Sequence, residues 1–119
     1  MNIIDEVILK LKLLKELDKK VYKYWPPNFH SLPVCSVTLI SAPDKVWGDS
    51  KGQGLLEIRI QVNTWEKVNA KIEGLSNLII EKMYELPYPI IQEMCMVDIS
   101  DTNNEVRTIQ EFLIKGGNI

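Results

Sequence analysis

The sequence predicts an α+β domain: an antiparallel sheet of about four strands with two helices packed on one face, in the order α-β-β-α-β-β. Three observations carry this expectation. In residues 55–62, Leu56, Ile58, Ile60 and Val62 alternate with Glu57, Arg59 and Gln61, the period of two that a half-buried antiparallel strand requires. Past Asn63 the period changes, and Val68, Ile72, Leu75, Ile79, Met83 and Leu86 recur at steps of three and four, which stacks them on one helical face. Near the C-terminal end, residues 90–100 and 106–114 read as two strands joined by the turn-forming residues Asp101, Thr102, Asn103 and Asn104. An apolar helical stripe needs a surface to lie on, and the sheet is the surface available.

The remaining elements follow in chain order. Ile3, Ile4, Val7, Ile8, Leu11, Leu14 and Leu17 predict a helix over residues 2–18, with Asn2 as N-cap and Asp5 and Glu6 in the first turn. Residues 21–33 carry three prolines and no period, so they predict an ordered loop. Residues 34–41 are rich in β-branched side chains and lie between Pro33 and Pro43, which predicts a strand. Residues 42–54 carry turn chemistry throughout and predict a long hairpin loop. Its Gly52-Gln53-Gly54 precedes a strand, whereas a phosphate cradle lies between a strand and the helix that follows it. Trp47 in this loop is either tucked on the sheet edge or a contact residue. Asn63 with Glu66 three residues on fits a capping box at the start of the second helix, with Trp65 sealing that helix end. Gly74 inside this helix predicts close approach of another backbone. Met94 and Met96 read as core filling. The imperfect alternation of residues 106–114 fits a strand covered on both faces, as by a neighbouring subunit.

Composition narrows the function classes. The chain has 119 residues, enough for one domain with its own core. With 14 Lys and Arg against 16 Asp and Glu, the net charge is -2, so bulk electrostatics does not draw it to nucleic acid. Cys35 and Cys95 both fall in strand-like runs and read as buried thiols in a reducing compartment. The acidic start lacks the basic region of a signal peptide, and no apolar run reaches the ~18 residues of a membrane span. His30 is the sole histidine and has no ligand or nucleophile at a productive spacing. The residues therefore predict no enzyme, no metal and no cofactor.

The layout of a helix, a Pro-rich aromatic loop (Tyr24-Trp25-Pro26-Pro27 to Leu32-Pro33), a strand, a glycine-bearing loop, and Leu56 to Trp65 before a long helix resembles the small tail-completion proteins of phages and prophages. These are similar to tail-terminator and head–tail joining proteins. The likeness rests on layout and on the Val62-Asn63-Thr64-Trp65 junction. It implies a structural role in the virion, assembled in the bacterial host cytoplasm. Subunits form a ring that caps the tail tube and docks it to the head connector, without membrane or direct nucleic-acid binding. The expected contact residues are Tyr24, Trp25, His30, Asp44, Lys45, Trp47 and Lys51, and deletion of residues 46–51 is expected to abolish joining while sparing the fold. The alternative is a small cytoplasmic α+β domain that binds a ligand or RNA, and less so a minor enzyme. The absence of aromatics in residues 56–62 weighs against RNA.

Overall fold

The computed structural model describes residues 2–26, 31–41, 57–68, 72–100 and 104–116. Its elements are α1 (Ile3–Leu11), a 3₁₀ turn (Lys15–Leu17), β1 (Val21–Lys23), β2 (Val34–Ser41), β3 (Glu57–Lys67), α2 (Ile72–Tyr84), β4 (Ile90–Ser100) and β5 (Glu105–Lys115). The class is α+β, but the sheet has five strands rather than about four, in the order β1-β2-β3-β5-β4. It is also mixed, because β1 runs parallel to β2 while every other pair is antiparallel. Both helices cover one face. Ile3, Val7 and Leu11 of α1 and Leu75, Ile79 and Met83 of α2 share one buried cluster with Ile58, Ile60, Val62, Phe112 and Ile114.

The strand missing from the sequence reading is β1, which falls in the stretch read as loop. At three residues it is too short to show a period, so only its partners reveal it. Val21 is buried opposite Cys35, the Cys35 N–H donates to the Lys20 carbonyl at 2.9 Å, and the Tyr24 N–H donates to the Val37 carbonyl at 2.8 Å.

Helix α1 begins as expected: Asn2 Oδ1 accepts the Asp5 N–H at 2.9 Å. It ends at Leu11 rather than near residue 18. The reason lies in the spacing of its apolar residues. Leu11, Leu14 and Leu17 are all buried and fall at steps of three, which suits the three-residue period of a 3₁₀ turn better than the 3.6 of an α-helix. Asp18 and Lys19 then take the left-handed conformation and turn the chain into β1.

The largest correction is at β3, which runs through Asn63, Thr64, Trp65 and Glu66 to Lys67 instead of yielding to a helix at Asn63. The expected capping box does not form. Each of these residues has a partner on β5, from Asn63 opposite Ile109 to Lys67 opposite Glu105. Thr64 and Trp65 suit a strand, and an unbroken ladder outweighs a local capping signal. Trp65 therefore seals no helix end; it lies on the sheet face opposite the helices, with the Arg107 guanidinium 5.4 Å from its ring. Within α2, Leu75, Ile79 and Met83 form the expected buried stripe and Leu86 extends it just past the helix end, whereas Val68, expected on the same stripe, precedes the helix and is exposed. A Cβ at Gly74 would meet no heavy atom within 4 Å, so no backbone approaches it closely.

The expectation of two buried thiols fails at Cys95, which is exposed, while Cys35 is buried. Cys95 lies on the helix side opposite Gln110, but on the edge strand, where α2 does not cover it; a bulge sets that facing. Gln92 pairs with Phe112 and Met94 with Glu111, so Glu93 is an extra residue in β4. Beyond it the facing parity reverses. Cys95, Val97 and Ile99 lie on the helix side, and Met94, Met96 and Asp98 lie on the other. Met96 is accordingly exposed and fills no core. Strand β5 needs no neighbouring subunit to cover it, since β3 and β4 flank it and Val106, Thr108, Gln110, Phe112 and Ile114 are buried. No helix among the described residues is long and apolar enough to cross a membrane.

Candidate functional site

Three features stand out once the sheet is built: an open edge at β4, an exposed aromatic pair beside β1, and a polar floor under α2.

Among the described residues β4 is the last strand of the sheet, so one of its backbone edges has no described strand beside it. It has 11 residues, about 36 Å at roughly 3.3 Å per residue, whereas the 13 residues of α2 span about 20 Å. The helix is too short to roof the whole ribbon. Val97 is 53% and Ile99 59% exposed on the helix side, with Cys95 beside them, and Ile91 and Met96 are exposed on the other side. Proteins usually blunt such an edge with lysine, proline or a very short strand. Here only the bulge and two acids interrupt it. Glu93 accepts a 2.9 Å hydrogen bond from Arg59 Nε, and that carboxylate holds the guanidinium pKa above its ordinary value. A shallow cavity of about 220 Å³ lined by Pro89, Ile90, Ile91, Leu113 and Lys115 continues the apolar surface at the near end of β4.

At the opposite edge, Tyr24 and Trp25 follow β1. Trp25 is 73% exposed, and Tyr24 is also exposed. Their backbone is held. Tyr24 sits at φ 70°, its carbonyl accepts from Thr38 Oγ1 at 3.3 Å, and the Trp25 N–H donates to the Lys23 carbonyl at 3.0 Å. Of the contact residues expected from sequence, these two are exposed on the same edge; His30, Asp44, Lys45, Trp47 and Lys51 lie outside the described residues, as does the 42–54 loop. The β4 edge was missed from sequence because residues 90–100 read as an ordinary strand. The clue was the run Met94-Cys95-Met96-Val97, apolar at both parities, which no one-sided strand needs.

The face away from the helices carries a polar network. Arg107 Nε and Nη2 donate to Asn63 Oδ1 at 3.0 and 2.8 Å, Asn63 Nδ2 donates to Gln61 Oε1 at 2.9 Å, and Gln61 Nε2 donates to Glu111 Oε1 at 3.3 Å.

The helix side carries the reverse anomaly. Thr64, Glu66, Thr108 and Gln110 occupy inward positions of β3 and β5, and all are buried. Gln110 Nε2 donates to the Ser76 carbonyl at 3.3 Å and to Gln92 Oε1 at 2.9 Å, tying α2 to β5 and β4. Thr64 Oγ1, Thr108 Oγ1, Gln110 Oε1 and Glu66 Oε2 have no hydrogen-bond partner. Burial raises the Glu66 carboxyl pKa above its ordinary value. Burial also pushes the Cys35 thiol up to about 12, and the Thr64 hydroxyl beside it offsets this slightly without making a full hydrogen bond. Cys35 is thus a thiol with almost no thiolate, unsuited to nucleophilic work. Among the described residues, no group of three or more His, Cys, Asp or Glu could hold a metal ion.

No protein-family model matches the chain, and no curated protein is significantly similar to it. The reading of function therefore stands on the residues and their placement.

Proposed function

We propose that this chain is a structural subunit that associates side by side with copies of itself into a ring, and that the ring completes a phage or prophage tail and joins it to the head connector. The observation that carries the first half is the placement of exposed apolar residues at the two opposite edges of one sheet: Val97 and Ile99 on β4, and Tyr24 and Trp25 beside β1. A contact that uses one patch on one copy and a different patch on the next is heterologous, and such contacts generate rings when the rotation closes. The occupant of the β4 edge is a second copy of this chain. Pairing β4 with the three-residue β1 of the neighbour would leave most of its length open, so the neighbour's Tyr24–Trp25 corner covers the remainder.

The tail role rests on the resemblance of the sequence layout, with the tail-tube protein and head connector as the further partners. A virion component of this kind needs no catalytic group. The RNA-binding alternative has Arg107 over Trp65 on the face away from the helices, but there Arg59 meets Glu93 and Lys115 meets Glu57, and the chain's net charge of -2 gives no general attraction to phosphate.

The test is sedimentation velocity and negative-stain electron microscopy of the purified chain, alone and with purified tail tubes, beside the double variant Val97→Lys, Ile99→Lys. Rings are expected for the natural sequence, and monomers with an unchanged melting temperature for the double variant. Monomers of the natural sequence under both conditions, or rings of the lysine variant, would overturn the reading.

A further inference from the structure

The polar floor under α2 opens into a cavity on the β2–β3 side of the sheet, away from the β4 edge. It measures about 320 Å³ and is lined by Glu16, Pro33, Glu66, Gly74, Leu75 and Leu78. That size falls at the low end of the range for small-molecule sites, about 300 Å³ upward. The wall is apolar except for two carboxylates. Glu16 is exposed on the solvent side. Glu66 is 6% exposed, its Oε2 has no hydrogen-bond partner, and no Lys or Arg among the described residues forms an ion pair with it.

Buried charges are ordinarily paired or bound to a counter-charge. A site that needed only packing would hold leucine or methionine at residue 66. Thr64 and Thr108, opposite each other and one inward step along the ladder from Glu66, lie behind it and not in the cavity wall. The arrangement offers the Glu66 carboxylate at the floor, and Pro33, Leu75 and Leu78 at the sides. It is complementary to a cation carried on a short aliphatic stem.

We propose that this cavity binds an alkylammonium group: the ammonium pairs with the Glu66 carboxylate and the stem lies against Pro33, Leu75 and Leu78. The inference goes beyond the assembly reading and does not depend on it. The same chemistry is presented by a free aliphatic amine and by a lysine side chain of a neighbouring copy.

The test is a titration with n-butylammonium chloride, with 1-butanol as the neutral control of like shape, read by the methyl NMR signals of Leu75 and Leu78. Saturable shifts with the cation and none with the alcohol are expected. Glu66→Gln should weaken binding at least tenfold, with its fold checked by circular dichroism. Leu78→Trp, which fills the cavity and leaves Glu66 in place, should abolish binding, so the proposal stays testable should either variant prove unstable. Binding by monomer alone, lost on assembly, assigns the cavity to a neighbour's lysine; binding by both forms assigns it to a free amine. Shifts that do not saturate, equal response to butanol, or unaltered affinity in Glu66→Gln would refute the proposal. Should the chain never assemble, the titration of the monomer still decides it.

Discussion

Val106 on β5 and Ile99 on β4 stand opposite each other across one antiparallel ladder, yet Val106 is 1% exposed and Ile99 is 59% exposed. The two strands have the same length and belong to the same hairpin. What separates them is position in the sheet. β5 has strands on both sides and lies under the helices, and β4 has one neighbour and a helix too short to shade it. The contrast sharpens toward the far end of the ribbon. There the inner strands bury oxygen atoms of Thr64, Glu66 and Thr108, while the outer strand exposes the hydrocarbon of Val97 and Ile99. Hydropathy is inverted relative to a simple folded domain, where polar residues are mostly exposed and aliphatic ones mostly buried. Neither half of the inversion helps the isolated chain to fold, so each points outside the chain: the apolar edge toward another subunit, the polar floor toward a bound cation.

The comparison can be broken or sharpened by experiment. The largest contrast is all or none. Iodoacetamide should modify Cys95 under native conditions in the monomer, while Cys35 reacts only after unfolding, as mass spectrometry of digests would show; burial and a pKa of about 12 protect the latter. Next in size, Phe112→Ala on β5 removes a fully buried ring and should cost about 3–5 kcal/mol in urea denaturation. A smaller change is expected at Glu66. Its folded-state pKa is raised, so the folded chain holds the proton more tightly than the unfolded one. Stability should therefore be undiminished below the ordinary carboxyl pKa and fall as pH rises through the folded value. Glu66→Gln should flatten that fall and gain on the order of 1 kcal/mol at pH 8. Smallest of all, Ile99→Ser on β4 should change the stability of the monomer by less than about 0.5 kcal/mol, because the side chain has little to lose. A cost near that of Phe112→Ala would mean that β4 is covered within a single chain.

Much of this fold was legible where a periodic stripe was long and one-sided. Ile58, Ile60 and Val62, and then Leu75, Ile79, Met83 and Leu86, announced their faces by spacing alone and pack together as that spacing requires. The reading failed where a tertiary ladder overrode a local signal. Asn63 and Glu66 imitate a helix cap, but their strand partners on β5, Ile109 and Val106, lie far along the chain, beyond the reach of any local pattern. It failed again at β1, whose three residues carry no period, and at Glu93, since one inserted residue cannot be distinguished from its neighbours until the ladder is seen. The candidate sites share this origin. Tyr24 and Trp25 could be picked out as aromatics in a loop, whereas Glu66 and the β4 edge became visible only when the order of strands was known.

The bulge at Glu93 sets the register of everything beyond it on β4. Removing that single residue would leave every other pair in register, with Cys95, Val97 and Ile99 still on the helix side; flattening the bulge with Glu93 kept in the ladder would instead bring Met94, Met96 and Asp98 beneath the helices and turn Cys95, Val97 and Ile99 to the opposite surface. Whether Glu93 is bulged or paired thus decides which flank of the ribbon is greasy.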